Sequence, residues 1–141
     1  MNKDYEKIYH EVEAAHWWFV ARRDLVKELV CRAAPNRAAA ILEIGCSGGP
    51  LLRQLRESGY ANLTGIDISA EAIALCQERQ LGRVAVMDAQ QPDFPPESFD
   101  VITASDVLEH LADAPRALAA WQALLRPGGA AIIFVPAFQF L

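Results

Sequence analysis

The chain has 141 residues, 52% of them apolar and 22% charged, with a formal net charge of −5. That is the composition of one globular domain with a single core, not of a disordered segment. The acidic balance argues against nucleic-acid binding driven by bulk charge. The three cysteines, Cys31, Cys46 and Cys76, show no C-x-x-C spacing, which fits reduced thiols in a cytoplasmic protein and neither a disulfide framework nor a metal site. No apolar run approaches the ~18 residues of a membrane span, and the polar N-terminus does not read as a signal peptide.

Taken in order, Asp4 to Ala15 carries Tyr5, Ile8, Tyr9 and Val12 at i, i+3, i+4 and i+7, the pattern of an amphipathic helix with an apolar inner face. A second helix is expected from about His16 to Ala33, with Val26, Leu29, Val30 and Ala33 inward and Pro35-Asn36 ending it. His16-Trp17-Trp18-Phe19 sits at the junction. Three adjacent large aromatics cannot all face one core, so some should line a groove or cover a ligand, and at least one tryptophan should dock the first helix. Trp18 and Arg22, four apart, share a helical face and are placed to stack.

Ala38 to Ile44 reads as a buried parallel strand interrupted only by Glu43. Gly45, Gly48 and Gly49 then permit a sharp turn and close approach to a ligand, and Pro50 opens a helix with Leu51, Leu52 and Leu55 inward. Helix N–H groups then point at the end of a strand, where an anionic or hydrogen-bonding ligand can sit. Asn62 to Ile66 is a second strand ending at Asp67. Ser69 caps the next helix, and Arg83 to Met87 is a third strand ending at Asp88. Residues 90–98, with Pro92, Pro95 and Pro96, form a loop. Phe99 to Ala104 is a fourth strand, followed by a loop or short helical turn from Ser105 to Leu111. A helix from Asp113 to about Leu125 follows, with Trp121 and Leu124 inward. Arg126-Pro127-Gly128-Gly129 is expected to turn, and Ala130 to Val135 to form strand five.

Strands alternating with helices imply a Rossmann-like, doubly wound parallel sheet. In such sheets ligands bind at the C-terminal strand edge. Polar residues gather there: Glu43 just before the first glycine, Asp67, Asp88, and Ser105 with Asp106. Asp67 lies 22 positions past Gly45, where an acid can take both hydroxyls of a ribose. A G-x-G-x-x-G dinucleotide fingerprint from Gly45 fails at Ser47 and Pro50, which disfavours a nicotinamide-dependent oxidoreductase.

Four stretches together resemble the class I S-adenosylmethionine-dependent methyltransferases of the type 11/12 kind. They are Leu42 to Gly49, Gly65 to Ser69, Asp88-Ala89 with Phe99 to Ile102 and Leu108 to Leu111, and Leu125 to Gly129. The His16 to Phe19 run with Arg22-Arg23 further resembles a bacterial subgroup acting on small molecules, glycans or lipids. The resemblance implies strand order 3-2-1-4-5, an N-terminal helical segment (1–36) covering the cofactor site, and a cofactor-binding core (37–141). It implies that Gly45, Cys46, Ser47 and Gly49 approach the methionine part of S-adenosylmethionine, with Glu43 beside them. It further implies that Asp67 binds the ribose, Ile68 packs on adenine, and Asp88 accepts from the adenine amino group beside Ala89. Ser105 lies near the sulfonium, and Arg22 or Arg23 pairs with the methionine carboxylate.

The family usually has glycine where Ser47 stands; serine keeps the turn there if its φ is negative. His110 is the candidate general base for an O or N nucleophile, with ordering of Glu109 or the pocket as its alternative role. Cys46 is expected to be a packing residue. The acceptor is an unspecified small molecule, glycan or lipid-linked compound. A non-catalytic binding module on the same fold is the alternative. The family sheet normally has two further strands, so the chain is expected to be a C-terminally truncated fragment. Its strand-five edge would then lie open, with Phe138, Phe140 and Leu141 little covered, and association through that edge is expected.

Overall fold

The computed structural model describes residues 3–137. Its elements are α1 (Lys3–Ala15), α2 (Trp17–Ala33), β1 (Ile41–Ile44), α3 (Pro50–Glu57), β2 (Leu63–Asp67), α4 (Ala70–Glu78), β3 (Arg83–Val86), β4 (Phe99–Ser105), a 3-10 turn (Leu108–His110), α5 (Ala114–Leu124) and β5 (Leu125–Phe134). The strands form one sheet in the order β3-β2-β1-β4-β5, every pair parallel, as the sequence implied. The order reverses at β1, whose neighbours are β2 and β4, so the crevice at its C-terminal end is the natural ligand position.

β1 is buried on both faces. Ile41, Leu42 and Ile44 are fully enclosed, and burying each contributes about 1.5–3 kcal/mol. Alternation sends Ile41 toward α2, α3 and α4, where it joins Val26, Val30, Leu52, Leu55 and Cys76. Leu42 and Ile44 face α5 and meet Ile102, Trp121 and Leu124. Pro50 starts α3, and Leu51, Leu52 and Leu55 are its buried face. Ser69 caps α4, its hydroxyl accepting from Ala72 N at 3.1 Å; Asp113 caps α5 by accepting from Arg116 N at 3.0 Å.

The structure corrects several expectations. α1 is turned relative to its apolar stripe. Tyr5, Ile8, Tyr9 and Val12 are exposed, whereas Glu6 is buried and His10 and Glu13 are nearly so. The inward contacts that α1 makes are polar, so the orientation follows the hydrogen-bond partners waiting below and not hydropathy. Trp17 and Trp18 are 72% and 54% exposed, and neither docks α1. They stand edge-to-face at 6.0 Å. The arginine stack forms with a different partner: the Arg22 guanidinium lies 5.2 Å from the Phe19 ring centroid. In α2, Val26 and Val30 are buried, Leu29 is half-buried and Ala33 exposed.

The expected turn at residues 126–129 lies inside β5. Phe99 pairs with Leu125 and Val101 already with Ala130, so the four intervening residues bulge out of the ladder. Gly129 is needed there, because a Cβ would stand 2.9 Å from the Asp100 and Arg126 carbonyl oxygens. Arg126 secures the bulge by donating to Asp100 Oδ2 at 2.8 Å. β5 is the edge of the described sheet and only half-buried at best. Phe138, Phe140 and Leu141 lie outside the described residues. No helix among the described residues is long and apolar enough to cross a membrane.

Candidate functional site

The ends of β2, β3 and β4 deliver polar groups to the place where β1 ends. β2 ends at Asp67, whose carboxylate is held from two sides: Ser47 N donates to Oδ2 and Ser69 N to Oδ1, both at 2.9 Å. Asp88 follows β3 and turns the chain by accepting from Gln90 N at 2.8 Å. β4 ends at Ser105, and Asp106 is held by an ion pair with Arg22. Gly45 closes β1 with φ +73°, and its N–H donates to Ile66 O at 2.8 Å. A Cβ here would lie 2.5 Å from the Val107 side chain, so glycine is required both by φ and by space.

These groups surround a cavity of about 550 Å³, within the range of pockets for drug-sized ligands. Gly45, Ser47, Asp67, Ile68, Asp88, Ala89, Ser105 and His110 all line it. Arg22 and Glu43 line a separate recess of about 40 Å³ on the α2 side of β1, which shares Gly45, Glu13 and Ser105 with the main cavity. Cys46 and Gly49 line neither. Gly49 (φ +84°) instead points its missing Cβ at Leu81 and at the Cys76 sulfur, and serves the packing of α3 on α4.

Ser47 departs from the expected geometry. Its φ is +52°, in the left-handed region that costs a side-chain-bearing residue roughly 1–2 kcal/mol. Three contacts hold it there. Its N–H donates to Asp67, its hydroxyl donates to Glu13 Oε2 at 2.7 Å, and its carbonyl accepts from the Cys76 thiol at 3.2 Å. Below the turn the Cys46 thiol meets the Cys76 sulfur. That contact and burial push the Cys46 thiol well up, and its side chain is enclosed in the core.

Sequence reasoning missed which residues of α1 turn toward the cavity. Glu6, Tyr9, His10 and Glu13 form one wall of the cavity. Glu6 Oε1 accepts from the Ser69 hydroxyl at 2.5 Å, and Glu13 accepts from that of Ser47. His10 stands between them, with Nδ1 3.6 Å from Glu13 Oε2 and Nε2 4.0 Å from Glu6 Oε1. A signal was present: Glu6, His10 and Glu13 stand at i, i+4 and i+7, as regular a stripe as the apolar one. Burial, reinforced by the Glu13 charge, pushes the Tyr9 hydroxyl up from 10.0.

Glu43 is buried, Oε2 has no hydrogen-bond partner, and desolvation, reinforced by Glu13, holds its carboxyl well above the ordinary 4.5. His110, by contrast, has a side chain 77% exposed, with its Nε2 3.7 Å from Glu109 Oε1. Neither arginine of the Arg22-Arg23 pair reaches the main cavity. Arg23 donates to the backbone carbonyls of Glu13 and Ala14 and ties α1 to α2. No group of three or more His, Cys, Asp or Glu with metal-binding geometry occurs among the described residues.

Comparison with known proteins agrees with this geometry. Ubiquinone biosynthesis O-methyltransferase of Pseudomonas aeruginosa (strain UCBPP-PA14) is 35% identical over 95 residues, covering 63% of this chain and 40% of that protein. The protein of the same name from Albidiferax ferrireducens is 28% identical, covering 92% of this chain and 57% of its own length. The chain thus spans about half the length of the curated relatives it matches. The sugar N-methyltransferase KedS8 from Streptoalloteichus superposes over 96% of this chain and 56% of its own, with a TM-score of 0.77 at 22% identity, a likeness of fold. The profile of a family described as "Methyltransferase domain" matches residues 42–133, the stretch from β1 into β5 that builds the cavity floor, and the chain belongs to that family.

Proposed function

We propose that this chain is the cofactor-binding part of an S-adenosylmethionine-dependent methyltransferase. It would deliver a methyl group to an O, N or C nucleophile of a small-molecule, glycan or lipid-linked acceptor. The convergence of Gly45, Asp67, Asp88 and Ser105 on one cavity at the switch point of the sheet carries this reading. The donor set suits the cofactor that the family implies. Asp67 presents a carboxylate fixed by two backbone N–H groups, suited to a ribose diol. Asp88 offers an acceptor for an exocyclic amine, Ile68 an exposed apolar face for a purine, and Gly45 a backbone stripped of side chain. When bound, the cofactor supplies a methyl group already activated on a sulfonium. The chain's task is then to hold it, orient the acceptor and exclude water.

In this reading residues 1–36 cover the site and residues 37–141 form the core, with Glu43, Gly45, Cys46, Ser47 and Gly49 shaping the methionine end. Cys46 and Gly49 contribute backbone and packing. Arg22 acts through Asp106, and meets a carboxylate directly only if that pair opens. His110 borders the cavity and is the candidate base. The relatives' name favours a hydroxyl acceptor. The three free cysteines support a reducing, cytoplasmic setting. The half-buried edge strand β5 supports association of two copies through that edge. A cofactor-binding module without turnover is the alternative.

Calorimetry with S-adenosylmethionine, its demethylated product and NAD tests the reading. Binding of the first two and not of NAD is expected. Binding of NAD with no response to the product would overturn it. Turnover of a methyl-labelled cofactor with lysate metabolites then separates an enzyme from a binding module.

A further inference from the structure

Two thiols that methyl transfer does not use stand together under the cavity floor. Cys46 follows Gly45 in the turn after β1, and Cys76 lies near the end of α4. Both are free and enclosed, at 1% and 0% exposure. Both reach one acceptor, the Ser47 carbonyl oxygen, Cys76 Sγ at 3.2 Å and Cys46 Sγ at 3.7 Å. They also hydrogen-bond each other. The backbone around them leaves them room: a Cβ on Gly49 would stand 3.0 Å from the Cys76 sulfur, and one on Gly65 would stand 3.0 Å from the Cys46 sulfur. Cys31 sits apart, beside Tyr60.

The two thiols are not equivalent. The hydrogen bond from Cys46, helped by the Arg79 charge, holds the Cys76 thiol below its ordinary 9.0, whereas the same contact and burial raise that of Cys46. Cys76 is therefore the sulfur that ionises and attacks, and Cys46 the one that resolves. We propose that Cys46 and Cys76 are a peroxide-sensitive pair that closes into a disulfide and thereby loosens the turn that lines the cavity. In the first step the Cys76 thiolate attacks one oxygen of hydrogen peroxide. The O–O bond breaks, the leaving hydroxide takes up the thiol's proton as water, and Cys76 becomes a sulfenic acid. In the second, the Cys46 sulfur attacks the Cys76 sulfur. The S–O bond breaks, and the Cys46 proton leaves with that oxygen as a second water. The thiols give up two electrons and the peroxide takes them.

The consequence for the turn follows from Ser47. Neither sulfur of the disulfide carries a proton, so the Ser47 carbonyl loses the donor that helps hold φ at +52°. The sulfurs also pass from thiol contact to a bond of about 2.05 Å, which draws the turn toward α4. Ser47 N is a donor to Asp67, so the disturbance reaches the carboxylate at the end of β2. α1 lies over this turn, with Glu13 accepting from the Ser47 hydroxyl and His10 Nδ1 3.3 Å from it, so the pair opens to peroxide when α1 lifts.

Treating the reduced protein with hydrogen peroxide and mapping its peptides without reductant tests this. The expected product is a Cys46–Cys76 link, with Cys31 still free to alkylate after denaturation. Amide exchange at Ser47 and Gly48 should quicken on oxidation. A further readout rests on the methyltransferase reading: affinity for S-adenosylhomocysteine should fall roughly tenfold and return with dithiothreitol. Cys76→Ser keeps a hydroxyl donor beside Ser47 but cannot form the link, so peroxide should leave its affinity unchanged; a melting curve checks its fold. A folded wild type that forms no such link, or a link that leaves the turn's exchange or the affinity unchanged, would overturn the proposal. A reduced wild type that binds no S-adenosylhomocysteine, yet forms the link with faster exchange, would overturn the methyltransferase reading alone and support the switch.

Discussion

Ser47 shows how much one residue's backbone depends on its neighbours. It holds a left-handed conformation because Asp67, Glu13 and Cys76 each take one of its polar groups. Ser47→Gly relieves the backbone and loses the hydroxyl; Ser47→Ala loses the hydroxyl and keeps the strain. The glycine variant is therefore expected to be more stable than the alanine variant by about 1 kcal/mol in urea unfolding. Equal stabilities would contradict the strain. Asp67→Ala removes an acceptor for two backbone N–H groups as well as for the ligand. It should weaken cofactor binding roughly ten- to a hundredfold and cost about 1–3 kcal/mol of stability. Glu43 has its folded pKa raised above 4.5. The unfolded chain then gives up that proton first, so the group's stabilising contribution is full below 4.5 and is lost as pH rises through the folded value. Melting temperature should fall over that window in the wild type and flatten in Glu43→Gln; identical profiles would mean that Glu43 is not held protonated. At this scale, Asp67 and Asp88 were legible because strand periodicity fixes where strands end. The φ of Ser47 was not, because it depends on a helix distant in sequence.

At the scale of elements, the cavity floor was legible, and the face that α1 turns toward it was not. The glycine turn, the cap at Ser69 and the α5 start at Asp113 each carry a local signature. α1 carries two stripes, and hydropathy alone selects the wrong one as inward. Tyr5, Ile8 and Val12 face outward because three polar side chains find partners at Ser47, Ser69 and each other. A helix held by polar contacts opens easily. Amide exchange in α1 should therefore be faster than in α2 or β1 and should slow when S-adenosylhomocysteine binds. Exchange as slow as that of β1 in the free protein would contradict this attachment. The bulge in β5 escaped sequence reading for a related reason: Pro127-Gly128-Gly129 signals a turn, but only the pairing of Leu125 with Phe99 shows that the turn interrupts a ladder.

At the scale of the molecule, a parallel sheet followed from the alternation of strands and helices, its order from the family resemblance, and the site from where that order reverses. The β5 edge leads to an expected association that light scattering across concentration checks, a clean monomer counting against it. The central claim is that the cavity between Asp67, Asp88 and α1 holds S-adenosylmethionine. A crystal structure with S-adenosylhomocysteine tests it most directly. The expected result is density for the ligand in that cavity, its ribose hydroxyls on Asp67 and its adenine beside Ile68 and Asp88. Density at any other surface, or a cavity left to water at saturating ligand, would contradict it.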